Sequence, residues 1–221
     1  MSRAAVALVL LAAFLLAGFG WRTLVQVRRH GDTGWRFERS GPEKVVGPLL
    51  LLAFVLMGAG PVAALAAGDA HRPGGVASLV DGALGPAAAA AGVLLALAAG
   101  AVTVVAQAQM GASWRIGVQA GERTALITHG LYASVRNPIF TGMLSFGGGL
   151  ALLVPNAPTL IGALLGVVAI EAQVRLVEEP NLRTVQGAPY LAWASRTGRF
   201  VPRLGRLPGA GRVSGAGATH R

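Results

Sequence analysis

The stretch HGLYASVRNPIFTG, residues 129–142, marks the point where a polar loop meets hydrophobic sequence. It carries Tyr132, Arg136 and Asn137, and the residues after it are apolar or small almost without interruption to residue 154. Pro138 has the fixed φ angle and the missing N–H that suit the first turn of a helix. We therefore expect Arg136 and Asn137 to lie where a membrane helix enters the bilayer.

The composition indicates an integral membrane protein. Of the 221 residues, 53% are hydrophobic and only 13% are charged, which is too apolar for an ordinary soluble domain. The chain has no cysteine, so a disulfide framework, a thiolate nucleophile and a thiolate metal site are excluded. The four histidines are scattered, and no metal site is predicted.

Five apolar segments are predicted to cross the membrane, each needing roughly 20 residues for about 30 Å of hydrocarbon. A signal peptide is the alternative for the first segment, but no clear cleavage site follows it, and Trp21 with a snorkelling Arg22 suits an interfacial end. A kink is expected at Gly60-Pro61 in the second segment. The predicted spans are residues 4–20, 45–67, 86–108, 138–154 and 158–174.

Glycine and serine recur along the fourth predicted span. Such small residues are typical of close helix packing in lipid, and we favour this interpretation over a catalytic one. The residues concerned are Gly142, Ser145, Gly147, Gly148 and Gly149.

Positive charge is distributed unevenly along the chain. All but Arg3 and Arg72 of the 19 Lys and Arg residues fall in the first loop, the third loop or the C-terminal tail. This bias places the N-terminus outside and the C-terminus in the cytoplasm. The net charge of +10 indicates anionic lipid headgroups rather than nucleic acid as partner, because the arginines lie beside apolar spans. Lys44 is the only lysine, a bias typical of a GC-rich bacterial gene, so we expect a bacterial inner membrane.

A second polar cluster ends the fifth predicted span. On a regular α-helix Glu171, Arg175 and Glu178 share one face, while Glu179 stands to the side. A carboxylate near the end of an apolar span needs a partner such as Arg175, and Pro180 predicts a kink or break at Glu179. Solvated ion pairs are one interpretation of this cluster. A single pocket shared with residues 129–142 is the other.

Three further features lie near these clusters. The stretch GASWR, residues 111–115, is either a turn that contacts a cofactor or an interfacial anchor formed by Trp114 and Arg115. Residues 188–195 form a short amphipathic segment, expected to lie on the membrane or to cover the pocket. Residues 203–221 are expected to form a disordered basic tail attracted to lipid.

Several short motifs of the C-terminal half occur in a characteristic order: LITHGLYASVRNPIFTG at 126–142, VEEPNL at 177–182, GAPYLAW at 187–193 and RFVP at 199–202. This order resembles the isoprenylcysteine carboxyl methyltransferases and the related phospholipid methyltransferases. Those families show G-x-Y, R-H-P-x-Y-x-G, E-E-x-x-L, F-G-x-x-Y and V-P. The resemblance divides the chain into an N-terminal region of three spans (1–106), a methyltransferase-like core (107–202) and the tail (203–221).

The resemblance implies an all-α membrane methyltransferase that uses S-adenosylmethionine, with a cofactor pocket in the C-terminal half that faces the cytoplasm. The acceptor would be a lipophilic small molecule or a lipidated molecule with a carboxyl, amine or hydroxyl group. Arg175 and Glu178 would be the catalytic residues. The implied cofactor-binding residues are Gln119, Thr124, Ala125, Leu126, Ile127, Tyr132, Arg136, Asn137, Pro138, Ile139, Phe140, Glu178 and Glu179.

The chain departs from the family pattern at the acceptor side. Asn137 stands where the family has His, and Phe140 stands where it has Tyr. The spacing of Arg175 to the Glu pair also differs by one. Asn can donate and accept hydrogen bonds but cannot act as a base near neutral pH. These departures therefore bear on which acceptor is used.

Two other functions are consistent with the sequence. A non-enzymatic membrane protein, such as a transporter subunit or scaffold, would use its polar helix ends only to set topology. A sterol-reductase-like oxidoreductase would share a similar C-terminal half but bind a nicotinamide cofactor. The pair Glu178-Glu179 favours methyl transfer over reduction.

Overall fold

The computed structural model describes residues 1–34, 41–68, 85–115 and 125–208, and these residues are mostly helical. Short 3-10 turns lie at Gly111–Ser113 and Gly130–Ala133. Within the described ranges no β-strand forms, and Val135 and Gly198 make only an isolated β-bridge. The prediction of an all-α protein is therefore confirmed. The α-helices, in chain order, are α1 (Arg3–His30), α2 (Glu43–Ala67), α3 (Gly85–Met110), α4 (Pro138–Leu153), α5 (Ala157–Gln186) and α6 (Ala188–Ala194).

Four of these helices, α1, α2, α3 and α5, are long and apolar enough to cross a membrane. Helix α4 is apolar but has only 16 residues, which extend about 24 Å at 1.5 Å per residue. It therefore needs its interfacial ends, or a locally thinner bilayer, to cross about 30 Å of hydrocarbon. Each predicted apolar segment corresponds to one of these five helices, and the protein is a multi-pass membrane protein.

Helix α1 differs from its predicted form at its C-terminal end. The predicted span ends at residue 20, but the helix continues to His30 through a π-helical turn at Leu16–Trp21. Arg22 is only 9% exposed, and its Nη2 atom donates to the Gly111 carbonyl oxygen at 2.6 Å. The prediction of a snorkelling Arg22 is wrong, because the end of α3 supplies a hydrogen-bond acceptor inside the protein.

Close approach of helix backbones holds α3 against α4 and α2 against α5. A Cβ atom added at Gly149 would lie 2.8 Å from the Gly92 carbonyl oxygen, and one added at Gly162 would lie 2.8 Å from the Ala53 carbonyl oxygen. Any side chain there would force the helices apart. The packing interpretation is therefore confirmed for Gly142 and Gly149, which both approach the α3 backbone, whereas a Cβ atom at Gly148 would meet only a side chain at 3.8 Å. Lipid-embedded helices associate through such close backbone contacts.

The turn between α4 and α5 is tied to α2 by buried polar groups. Asn156 Nδ2 donates to the Gly60 carbonyl oxygen at 2.7 Å, and the Thr159 hydroxyl donates to Asn156 Oδ1 at 2.8 Å. Helix α2 continues through Pro61 to Ala67, and the kink expected at Gly60-Pro61 stays a prediction. These bonds satisfy buried polar groups and fix the end of the bundle opposite to the one where α5 ends.

Candidate functional site

The residues singled out in the sequence gather where α3 and α5 end and α4 begins. Two contacts join the Gly130–Ala133 turn to the end of α3. The Leu131 backbone N–H donates to Gln109 Oε1 at 2.9 Å, and the Tyr132 hydroxyl contacts the Ala106 carbonyl oxygen at 3.4 Å. An ion pair between Arg136 and Glu179 then joins the loop before α4 to the end of α5. The three segments therefore meet in one region of the protein.

A π-helical turn at Gln173–Glu178 reshapes the end of α5. In this wider turn residues five positions apart become neighbours, and the Gln173 side chain hydrogen-bonds Glu178. The prediction that Glu178 continues the α-helical stripe of Glu171 and Arg175 is wrong, because that stripe assumed 3.6 residues per turn throughout. The break expected at Pro180 is likewise not found, since helix continues to Gln186. The irregularity lies just before Pro180 instead.

Arg175 pairs with Glu171 one turn earlier on α5. The partner expected for the carboxylate of Glu171 is thereby confirmed. The Arg175 side chain is 56% exposed, and the neighbouring Leu176 is exposed as well. Arg175 thus lies on the outer surface of the helix.

Glu179 is the centre of a buried ion-pair network. Arg136 Nη2 donates to Glu179 Oε1 at 2.7 Å, and Arg199 donates through Nε to Oε1 at 2.7 Å and through Nη2 to Oε2 at 3.1 Å. Hydrogen bonding to Glu179 raises the pKa of the Arg199 guanidinium. Both carboxylate oxygens of Glu179 are therefore engaged within the protein.

Arg136 also holds the chain that follows α6. Its Nη1 atom donates to the carbonyl oxygens of Ala194 at 3.1 Å and Thr197 at 2.6 Å, and its Nη2 atom donates to that of Gly205 at 3.0 Å. Several bonds to one guanidinium are what an almost fully buried charge requires. Arg136 and Glu179 thus anchor the segment 194–205 against the ends of α4 and α5.

Asn137 also attaches the segment 194–205 to the start of α4, through the backbone carbonyl of Arg199. Its backbone N–H and its Nδ2 atom donate to the Arg199 carbonyl oxygen at 3.1 and 3.2 Å. The Arg136 backbone N–H donates to the Gly198 carbonyl oxygen at 2.7 Å. Pro138 is the first residue of α4, as predicted, and Ile139 and Phe140 pack against the apolar core.

Tyr132 is buried in an aromatic cluster beneath the site. Its carbonyl oxygen accepts a hydrogen bond from Trp193 Nε1 at 3.1 Å, and Tyr190 packs edge-to-face on Trp193 at 5.8 Å between ring centroids. Burial raises the pKa of the Tyr132 phenol, and the negative charge of Glu178 raises it further. The charge of Glu178 therefore acts on Tyr132, although the two residues belong to different motifs.

The segment before the Tyr132 turn packs against the aromatic cluster. Residues 125–128 have no regular secondary structure, and Leu126 and Ile127 pack against the aromatic cluster. Among backbone–backbone contacts of the described residues, none involves Ala125, Leu126 or Ile127. Such groups must find partners elsewhere when they are covered. The predicted residues Gln119 and Thr124 lie outside the described residues.

Glu178 lies half-buried between several charges. Arg115, at the end of the 111–115 stretch, attracts it, whereas Glu43 at the start of α2 and its neighbour Glu179 repel it. In the described parts of the chain, no set of three or more His, Asp or Glu side chains is placed to hold a metal ion.

These groups fit the chemistry of S-adenosylmethionine. The cofactor has a sulfonium cation, an amino acid head, two ribose hydroxyls and a planar base. Glu178 supplies a carboxylate, the irregular segment 125–127 supplies backbone N–H and carbonyl groups, and Leu126 and Ile127 supply an apolar surface.

Arg199 has a role that sequence reasoning missed. It lies in the RFVP motif, but nothing in the sequence indicates that its partner is Glu179 rather than another carboxylate. Thr141 was missed as well: its hydroxyl donates to the Phe200 carbonyl oxygen at 2.9 Å. Both residues lie in or beside motifs of the family pattern, at 136–138 and 199–202. That pattern indicates that the two motifs belong to one site, but it does not indicate which atoms are in contact.

The fold and the site thus define a multi-pass helical membrane protein with polar groups gathered at one end of the bundle. Residues 87–188 match the family model PEMT, phospholipid methyltransferase. This region runs from the start of α3 to the start of α6, and its match to a phospholipid methyltransferase domain supports a membrane methyltransferase in general. No curated protein and no solved structure matches the chain.

Proposed function

We propose that this protein transfers a methyl group from S-adenosylmethionine to a lipophilic acceptor at the membrane surface. The observation that carries the proposal lies within the matched region: Leu126 and Ile127 pack against the cluster that contains Tyr132, and the charge of the half-buried Glu178 acts on the Tyr132 phenol. The cofactor, when bound, supplies the methyl group. The protein contributes binding and orientation, which suffice for an in-line displacement.

Individual residues have distinct roles in this proposal. Glu178 binds positively charged or hydroxyl groups of the cofactor, and the backbone of Leu126 and Ile127 binds polar groups of its base or amino acid head. The polar groups of three predicted residues, Arg136, Asn137 and Glu179, hydrogen-bond other parts of the protein. Their proposed role is therefore to position the segments around the site rather than to contact the cofactor. Pro138, Ile139 and Phe140 position the first turn of α4.

The acceptor side is proposed to include Arg175. Its side chain and that of Leu176 are exposed on the surface of α5, where a membrane helix meets lipid. A charged group beside an apolar one suits a lipophilic acceptor with a polar head. An amine or hydroxyl acceptor would also need a base, and we assign that role to Glu178 rather than Glu179, because arginines hold both oxygens of Glu179.

The proposed setting is a bacterial inner membrane with the site on the cytoplasmic side, where soluble cofactors occur. The basic loops and tail would contact anionic lipid headgroups. No nucleic-acid partner is proposed.

The direct test incubates the purified protein with a lipid extract and methyl-labelled S-adenosylmethionine. We expect label in a lipid-soluble product, and about 10- to 100-fold less label with Glu178→Gln at limiting cofactor, in proportion to its weaker binding. Absence of both label and cofactor binding would favour the scaffold alternative. Binding of a nicotinamide cofactor instead would favour the reductase-like alternative.

A second test separates the acceptor side from the cofactor side. Arg175→Ala should raise the KM for the acceptor and leave cofactor affinity unchanged, because Arg175 lies on the outer surface of α5. Asn137→His should change cofactor affinity by no more than a few fold, since both side chains hydrogen-bond. Loss of cofactor binding in Arg175→Ala with intact acceptor affinity would overturn this assignment.

A further inference from the structure

Buried polar side chains of helix α1 hydrogen-bond the end of α3. Helix α1 lies outside the matched region 87–188. Arg22 Nη2 donates to the Gly111 carbonyl oxygen at 2.6 Å, and Gln26 Nε2 donates to that of Ala112 at 3.3 Å. The Arg22 guanidinium also lies 5.0 Å from the centroid of the Trp114 ring. These contacts add donors at the C-terminal end of α3, where carbonyl groups lack α-helical partners. The Gly111 carbonyl oxygen also accepts from the Trp114 backbone N–H at 3.3 Å.

A further hydrogen bond between α1 and α3 lies one turn earlier on α3. Gln107 Nε2 donates to the Gly18 carbonyl oxygen at 2.8 Å, and Gly18 lies in the π-helical turn of α1. Gln26 and Gln107 are each only 2% exposed. A buried amide without a partner is costly, so these side chains bind the two helices in one register.

The opposite side of the same turn of α3 carries the candidate site. Gln109 Oε1 accepts from the Leu131 backbone N–H, and the Ala106 carbonyl oxygen contacts the Tyr132 hydroxyl. The chain then leaves α3 through Trp114, which is buried at 2% exposure, to Arg115, whose charge acts on Glu178. One short stretch of chain therefore touches α1 on one side and the site on the other.

We propose that Arg22 is a positioning residue for cofactor binding: by holding residues 111–114 it fixes the end of α3 on which the Tyr132 turn and Arg115 are placed. This inference rests on the proposed function. It makes α1 part of the binding machinery rather than only a membrane anchor. Arg28, on the exposed end of the same helix, has no such role and provides a control with the same change of charge.

The test compares the parent protein with Arg22→Gln, Arg22→Lys and Arg28→Gln in detergent. Calorimetric titration with S-adenosylhomocysteine measures affinity. Hydrogen exchange of the ligand-free protein, followed in peptides that cover residues 106–115 and 130–133, measures how firmly the end of α3 and the Tyr132 turn are held. Circular dichroism verifies that each variant keeps its helices.

We expect Arg22→Gln to bind about 10-fold more weakly, the loss typical of one hydrogen bond from a charged group, and to exchange faster in both peptides. Arg22→Lys keeps a donor for the Gly111 carbonyl and should lose less. Arg28→Gln should match the parent. Parent-like affinity and parent-like exchange at residues 130–133 in a folded Arg22→Gln would overturn the inference.

The two proposals can fail separately. If the parent does not bind S-adenosylhomocysteine, the proposed function fails, and the exchange data alone decide whether Arg22 positions the Tyr132 turn. If Arg22→Gln does not fold, Gln26→Met takes its place, because it removes the bond to the Ala112 carbonyl while keeping similar volume. Unchanged affinity and exchange in that variant would overturn the claim that the hold of α1 on residues 111–114 positions the site.

Discussion

Arg136 Nη2 and Glu179 Oε1 lie 2.7 Å apart, and their side chains are only 2% and 6% exposed. The adjacent Glu178 is half-buried, hydrogen-bonded to Gln173, and attracted by the charge of Arg115. Two neighbouring carboxylates of one motif therefore have different surroundings. We expect Glu179 to contribute to stability and Glu178 to ligand binding.

Glu179→Gln should destabilise the ligand-free protein strongly. The change leaves the buried charges of Arg136 and Arg199 without their carboxylate, and breaking a buried ion pair costs about 3–5 kcal/mol. Thermal melting in detergent measures this loss. A melting temperature equal to that of the parent would show that the network around Glu179 is not needed for folding.

Glu178→Gln should weaken S-adenosylmethionine binding while leaving the ligand-free protein folded. A hydrogen bond to a charged group contributes roughly 1.5–3 kcal/mol, so the affinity should fall by about 10- to 100-fold. Gln keeps the shape of Glu, so the melting temperature without ligand should stay near that of the parent. The upward shift on adding ligand should shrink. Unchanged affinity in calorimetric titration would remove Glu178 from the proposed site.

Gly149→Ala should disturb the contact between α3 and α4, whereas Gly148→Ala should not. A Cβ atom at Gly149 meets the Gly92 carbonyl oxygen at 2.8 Å, while the nearest atom to a Cβ at Gly148 is Leu95 Cδ2 at 3.8 Å. Overpacking typically costs about 1–3 kcal/mol. The two variants add the same methyl group at adjacent positions, so equal melting temperatures would contradict the close helix crossing.

The tyrosines should resist ionisation in the folded protein. The chain has 2 Tyr; burial raises the pKa of Tyr132, and it raises that of Tyr190 to about 12. Because the folded-state values lie above the unfolded value of about 10, this contribution to stability is fully present below pH ~10 and is lost as the pH rises through the folded-state values. Absorbance at 295 nm should stay flat through pH ~10, and a tyrosinate signal there in folded protein would refute the burial.

The charge bias predicts the orientation in the membrane. A reporter fused after Arg221 should be cytoplasmic, and a reporter inserted within residues 74–78, outside the described residues, should be external. The opposite result at either position would reverse the five-span topology and would place the candidate site on the other side of the membrane.

Local sequence was sufficient to locate the helices. Uninterrupted apolar runs have no stable alternative to a helix in lipid, where backbone groups must be satisfied internally. Pro138 begins α4 at the predicted residue. The motif order likewise indicated the family, because it depends only on which residues follow one another.

The tertiary structure alone decided which charges meet. The sequence offers many arginines, and nothing local distinguishes Arg199, held at Glu179, from the others. The π-helical turn at Gln173–Glu178 rotates Glu178 off the stripe that α-helical spacing predicts, since one wider turn changes the direction of every later side chain. Arg22 turns inward rather than towards the interface because the chain at the end of α3 places the Gly111 carbonyl oxygen within hydrogen-bond distance. The spacing along the chain determines where a helix forms, whereas buried hydrogen bonds and ion pairs depend on groups that only folding brings together.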